Sequence, residues 1–339
     1  MEWPCRRSSR SQTKAFNNGS SRSGPRTLAT QNRKDGSQVR LYRYLWEEKP
    51  CLGILDGEEV IPADTIFELA GYSAPEAVRH ADLKAIAGAP DAVVVRLQET
   101  LKEAKQRGVD RHLPRVPLTE LRPLAPIPRP GKFICVGLNY RDHCEEQNLE
   151  PPKSPVLFAK FANAIANPGD EIRKPQVTNK LDFEGELGVV IGRGGKHIPQ
   201  AEALDHVFGY TIVNDVSARD VQKQDGQWLR AKSMDGFAPI GPCITTTDEI
   251  PDPQTLALRT TVNGVVMQDS HTSRMIFSVA MLIEFISRCM TLEPGDIIST
   301  GTPSGVGVWR NPPVFLQDGD VVRIEIERIG VLQNTVRWE

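Results

Sequence analysis

Asp182-Phe183-Glu184-Gly185-Glu186-Leu187-Gly188-Val189-Val190-Ile191 alternates with the period of two that belongs to a β-strand. The alternation sets Glu184 and Glu186 on one face and Phe183, Leu187, Val189 and Ile191 on the other. Side chains two residues apart on a strand leave the backbone about 7 Å from each other. Two acids so placed can converge on one cation, and both ionise cheaply only if a cation is there. A solvated strand face would carry the same pair. The balance is tipped by Asp215, which follows a second apolar strand candidate, Tyr210 to Val213. An acid at the end of a buried strand is not explained by solubility. Three carboxylates, with no thiolate and no His at ligand spacing, suit a hard ion. Mg²⁺ is expected first, with Mn²⁺ or Ca²⁺ able to replace it.

Outward from this core, β-branched segments bounded by Gly, Pro and Asp predict further strands at Phe133–Val136, Ala257–Val262 and Val321–Ile326. A helix is expected from Ser278 to Arg288, and no GxGxxG-type repeat argues for a doubly wound sheet. Upstream, Leu41 to Trp46 and Cys51 to Leu55 lead to the turn Asp56-Gly57 and read as a small β meander. From Asp91 to Arg107 apolar residues recur at helical steps (Val94, Leu97, Leu101, Ala104). Pro114, Pro117, Pro123, Pro126, Pro128 and Pro130 then predict an extended connection. The fold class expected is α+β and β-rich. The division expected is a leader at 1–36, a small N-terminal α+β domain at 37–113, a linker at 114–130 and a catalytic domain at 131–339. Residues 1–34 hold eight Lys or Arg, six Ser and one acid, Glu2. That composition suits a disordered tail, an over-extended start or an organelle transit peptide, and so a cytoplasmic or a mitochondrial protein.

Asn139-Tyr140-Arg141-Asp142-His143-Cys144-Glu145-Glu146 follows the strand at Phe133 and can begin a short helix. His143 and Glu146, three apart, would share a face, and a carboxylate bonded to an imidazole makes it a better general base. Cys144 has no positioned base and reads as structural. After Asp215, a polar loop carries Gln222, Gln227 and Lys232, and a Lys beside a metal could bind a substrate carboxylate or stabilise an enolate. Gly301-Thr302-Pro303-Ser304-Gly305-Val306-Gly307 offers backbone donors that could cradle an anion, without the Lys of a P-loop.

The 43 acidic and 41 basic side chains nearly cancel, so no basic stripe points to nucleic acid. No apolar run approaches the roughly 18 residues of a membrane span. Six scattered Cys form no CxxC pair, and zinc-finger, HExxH and GxSxG spacings are absent.

Taken in order, NYRDHCEEQN, LDFEGELGVVIG, GYTIVNDVSARD, QWLRAKSMDGFAPIGP, VNGVVMQ, LEPGDIISTGTPSGVG and FLQDGDVV resemble the signature of the fumarylacetoacetate hydrolase family. The resemblance is close from Lys132 onward, loose over 39–130 and absent in the leader. It implies a mixed β-roll or β-sandwich working as a homodimer on a small dicarboxylate or 2-oxo acid. It also implies Glu184, Glu186 and Asp215 as metal ligands, His143 with Glu146 as the acid/base dyad, and Lys232 in the active site. Arg219, Gln222 and Thr302 are implied as substrate contacts. Larger fumarylacetoacetases carry a further acidic ligand seven residues before the His, where this chain has Val136. The reaction expected first is hydrolysis of a C–C bond in an acylpyruvate-type substrate by His-Glu activated water. Tautomerisation or decarboxylation of oxaloacetate at the same site is the alternative. A rival of another class is a non-catalytic metal-binding module that presents the helix at Ser278 to a partner.

Overall fold

A computed structural model describes residues 39–339; the segment expected as a leader lies outside the described residues. The quoted stretch forms the strand Gly185–Ile191, in which every residue is buried. The reason is its place: it runs antiparallel to Val207–Asn214 on one side and to Ile297–Ser299 on the other. Those neighbours close its edges, and the burial of every residue shows that both faces are covered as well, so the acidic face is not a solvated one. From Val207–Asn214 the sheet continues through Ala238–Thr246 to the meander Arg40–Trp46, Lys49–Asp56 and Glu59–Pro62. From Ile297–Ser299 it continues in parallel to Phe133–Gly137, which in turn pairs antiparallel with Val156–Ala159. Twelve strands take part in all.

A second, five-stranded sheet is ordered Val265–His271, Ala257–Val262, Val321–Ile326, Gly330–Trp338 and Glu171–Lys174, and it packs on the first. Gly185 marks a close approach between them. A Cβ there would collide with Thr260 Oγ1 and stand 3.1 Å from Gln268 Oε1 and 3.2 Å from Ile324 Cγ2. With the period of two, a glycine pressed against the second sheet turns Glu184 and Glu186 the opposite way. The fold is therefore α+β and β-rich, with mixed sheets packed as a sandwich.

The meander pairs with the core directly, Arg40 with Thr245 and Leu41 with Ile244. The proline-rich stretch adds the short strands Val116–Pro117 and Arg122–Pro123, which pair with Glu59–Pro62 and Arg40–Trp46. Sheet pairing thus runs across the segment expected as a linker. The helix Arg96–Arg107 buries Leu97, Leu101 and Ala104 and stops at Gly108, whose φ of 67° is the left-handed C-terminal cap. The helix Val279–Ser287 is capped by Ser278, whose side chain accepts the Met281 N–H at 3.3 Å. It buries Val279, Leu282, Ile283 and Ile286, so its apolar face is spent inside this chain. No helix among the described residues is long and apolar enough to cross a membrane.

Candidate active site

Glu184 and Asp215 are locked together by backbone. The Asp215 N–H donates to Glu184 O at 2.9 Å, and the Glu184 N–H donates to Asn214 Oδ1 at 3.1 Å. Glu186 lies one strand pitch further on. Its Oε2 accepts from Ser299 Oγ at 2.5 Å and from the Gly301 N–H at 3.0 Å. Carboxylate oxygens of Glu184, Glu186 and Asp215 lie within 4.8 Å of one another, all buried.

Cations answer this charge. Lys232 Nζ donates to Glu184 Oε2 at 2.6 Å and to Asp215 Oδ2 at 2.9 Å. Lys160 Nζ donates to Asp215 Oδ1 at 2.6 Å and to Val216 O at 3.3 Å. Arg219 Nη2 stands 2.6 Å from Glu184 Oε1 as an ion pair, but off the direction of a hydrogen bond. Burial pushes Glu184 up, yet Lys232 and Arg219 outweigh it and hold the carboxyl at about 2. Glu186 has no such partner: burial, then the charges of Asp215 and Glu184, push it up to about 8. Burial also works against the charge on Lys232, but Asp215 and Glu184 prevail and raise its affinity for the proton. The cluster therefore still wants positive charge at Glu186, which is a fit to a hard divalent ion held by oxygen. Burial, and then the charge of Asp215 with that of Glu186, raises the Cys135 thiol well above the usual range, so it supplies no thiolate.

His143 and Glu146 both fall in the helix Arg141–Glu146, where a three-residue step brings them to one side. His143 Nδ1 is 2.6 Å from Glu146 Oε1, and Glu146 Oε2 accepts the Gly305 N–H at 2.8 Å. Cys144 is buried, and its Sγ donates to Leu138 O at 3.7 Å, as a structural thiol would.

A cavity of about 380 Å³ gathers His143, Glu184, Glu186, Arg219, Gln222, Lys232 and Thr302 in its lining, with Val136 beside them. Asp215 backs the cluster, and Glu146 stands behind His143. Gln222 Oε1 accepts from Arg219 Nη1 at 3.2 Å. Thr302 Oγ1 donates to Gly185 O at 3.0 Å and accepts from Gln268 Nε2 at 2.7 Å, so much of its hydroxyl is already committed. Gln227 is not in the site; its Oε1 accepts the Leu229 N–H at 2.6 Å in a local turn.

The glycine-rich loop does not cradle a ligand anion through its backbone. Its donors go to protein carboxylates: Gly301 to Glu186, Gly305 to Glu146, and Gly307 to Asp182 Oδ1 at 2.8 Å. One loop thus fixes three acids. Asp182 is the unexpected member. Its Oδ2 accepts Arg219 Nε at 2.8 Å and the Val308 N–H at 3.0 Å, so it aims the guanidinium at Glu184. Lys160 and Ser299 were likewise missed. Lys160 had a signal in the sequence, a lone charge in the apolar run Val156-Leu157-Phe158-Ala159-Lys160-Phe161; Ser299 had none.

Residues 132–337 match the family described as Fumarylacetoacetate (FAA) hydrolase C-terminal. The chain is 47% identical over 239 residues to the rat protein named "Oxaloacetate tautomerase Fahd2a, mitochondrial", covering 70% of this chain and 76% of that one. Among solved structures it is similar to the fumarylacetoacetate hydrolase of Exiguobacterium antarcticum, with a TM-score of 0.73 and 37% identity over 89% of this chain and 100% of that one. It is also similar to the maleylpyruvate hydrolase of Sphingobium sp. SYK-6 in complex with manganese(II) and pyruvate, with a TM-score of 0.69 and 28% identity over 88% of this chain and 99% of that one. These matches place the chain in the fumarylacetoacetate hydrolase family.

Proposed function

We propose that the protein is a divalent-metal-dependent tautomerase that interconverts the keto and enol forms of oxaloacetate or a closely related 2-oxo dicarboxylate. The observation that carries this reading is the cavity onto which Glu184, Glu186 and His143 all open, with Asp215 completing the acidic cluster and Glu146 bonded to His143 behind them. Likeness to relatives named oxaloacetate tautomerases moves this reaction ahead of C–C hydrolysis, which the sequence alone had put first.

Glu184, Glu186 and Asp215 would hold the ion, taken to be Mg²⁺; when bound there it supplies positive charge that favours the enolate over the ketone. The chain's own groups do the rest. Glu146 keeps a proton on His143 Nδ1, which leaves Nε2 free to take a proton from C3 and return it. Arg219, held by Asp182, and Gln222 would bind substrate oxygens, and Lys232 would add a fixed positive charge beside the developing enolate. In this reaction one proton leaves carbon and one arrives at oxygen, and no water is consumed.

A second reading, hydrolysis of an acylpyruvate-type C–C bond, is favoured by the same dyad, which could activate water, and by likeness to a maleylpyruvate hydrolase. Enol absorbance and pyruvate release, followed together with oxaloacetate and with acetylpyruvate, separate the two readings. Enol loss without pyruvate supports the tautomerase; Mg²⁺-dependent pyruvate from acetylpyruvate supports the hydrolase. We further infer a homodimer, to be read by light scattering. A mitochondrial location is inferred from the basic leader and from relatives named mitochondrial, to be read by fractionation and N-terminal sequencing of the mature protein.

A further inference from the structure

The lining of the cavity has an aromatic part that the reaction above does not use. The Trp228 ring lies against the backbone of Gly137, where a Cβ would stand 2.6 Å from Trp228 Cζ3 and 2.9 Å from Cη2. Phe158 meets that ring edge to face, with centroids 5.2 Å apart and planes at 73°. Lys232 Nζ stands 5.2 Å from the Phe158 centroid. The aromatic pair therefore begins beside the ammonium that touches Glu184 and Asp215, and packing holds it in place. Leu149 and Trp309 extend the apolar lining and are 47% and 48% exposed.

A four-carbon dicarboxylate has no use for this surface. A carboxylate set against the Trp228 and Phe158 rings would lose water without gaining a partner from them. A cavity of about 380 Å³ is also within the range that encloses ligands well above the size of oxaloacetate, whose walls are mostly apolar with a few placed polar groups. The lining matches a molecule with a 2-oxo acid at one end and a flat apolar group at the other.

We propose that the site also interconverts the keto and enol forms of 2-oxo acids that carry an aromatic ring on C3. The proposal rests on the tautomerase reading for its acid/base residues. The step is balanced: the C3–H bond breaks and an O–H bond forms at the C2 oxygen, C=O becomes C=C, and no oxidant or water is needed. An aryl enol is conjugated through C3 and planar, so its ring can pack on Trp228 and Phe158 while its 2-oxo end reaches Arg219 and Lys232. Aromatic contacts of this kind contribute beyond the area they bury.

Phenylpyruvate is the probe, its enol absorbance followed with Mg²⁺ in excess and with oxaloacetate in parallel. The wild-type protein is expected to speed loss of the phenylpyruvate enol about tenfold or more over buffer. Trp309→Ala and Trp228→Phe are expected to lower kcat/KM for phenylpyruvate about fivefold more than for oxaloacetate. Trp309 is half exposed, so its truncation leaves the core intact. A protein active on oxaloacetate that leaves phenylpyruvate at the buffer rate overturns the proposal while the tautomerase reading stands. Variants that change both substrates by the same factor overturn the aromatic contact. Inactivity on both substrates removes the tautomerase reading and this proposal with it.

Discussion

Glu146→Gln tests the acid/base assignment because the backbone decides which way the new amide must face. In the native site Glu146 Oε2 accepts the Gly305 N–H at 2.8 Å and Oε1 lies 2.6 Å from His143 Nδ1. A glutamine has one accepting and one donating end. If its NH₂ faced Gly305, two donors would be opposed in a site where Glu146 is only 18% exposed, leaving an unpaired donor at a cost of about 1–3 kcal/mol. The carbonyl oxygen therefore takes the Gly305 N–H, and the NH₂ donates to His143 Nδ1. That moves the imidazole proton to Nε2, so the nitrogen that should accept a substrate proton already carries one. The side chain keeps its size and the carboxylate cluster is untouched. Loss of a general base corresponds to about 10²–10⁴ in kcat, or about 3–5 kcal/mol in the barrier. The assay is the Mg²⁺-dependent decay of oxaloacetate enol, with Mn²⁺ affinity measured alongside and the His143 tautomer read from ¹⁵N shifts. The expected result is a loss in that range, unchanged metal affinity and a proton moved from Nδ1 to Nε2. A variant within threefold of the wild-type rate, or one that keeps the native tautomer, refutes the reasoning.

Three further outcomes are expected. Glu186→Gln removes the acid that burial and its neighbours push up to about 8, and should weaken Mn²⁺ binding at least about 100-fold by calorimetry while the circular dichroism spectrum is kept. Gly185→Ala forces a Cβ into Thr260, Gln268 and Ile324 and should lower stability by about 1–3 kcal/mol in urea unfolding, the usual range for overpacking; an unchanged midpoint would show that the sheets are not in contact there. Alkylation at pH 8 should label exposed Cys289 and spare Cys135 and Cys243 until the protein unfolds. Burial pushes Cys135 well up and Cys243 up to about 12, and only the thiolate reacts.

Local pattern carried much of the fold. Ala257–Val262 and Val321–Ile326 form strands with the bounds that their β-branched runs predict, and Ser278 caps the helix that its spacing suggests. Sheet order was not legible in the same way. Nothing local to Arg40 says that it pairs with Thr245, because strand partners are chosen by packing between distant segments. That is why the meander reads as a separate module in sequence and lies in the core sheet of the structure.

The candidate site divides along the same line. Glu184 with Glu186 and His143 with Glu146 stand out because short periodicities pair them, and Asp215 because it is an acid that follows an apolar strand candidate. The groups that hold them, Lys160, Ser299 and the backbone donors of Gly301 and Gly305, reach the acids across the fold, and Asp182 acts on Glu184 only through Arg219. The glycine-rich loop shows the limit well. Its donors were visible in sequence, but whether they face a ligand or the protein's own carboxylates depends on what stands opposite, which only the packed structure supplies.

The measurement that bears most directly on the central claim is stopped-flow decay of oxaloacetate enol with and without chelator, with pyruvate assayed in the same samples. The account predicts rapid enol loss that stops in chelator, returns with Mg²⁺ and yields no matching pyruvate. Enol loss indifferent to chelator, or pyruvate formed in step with it, would contradict the account.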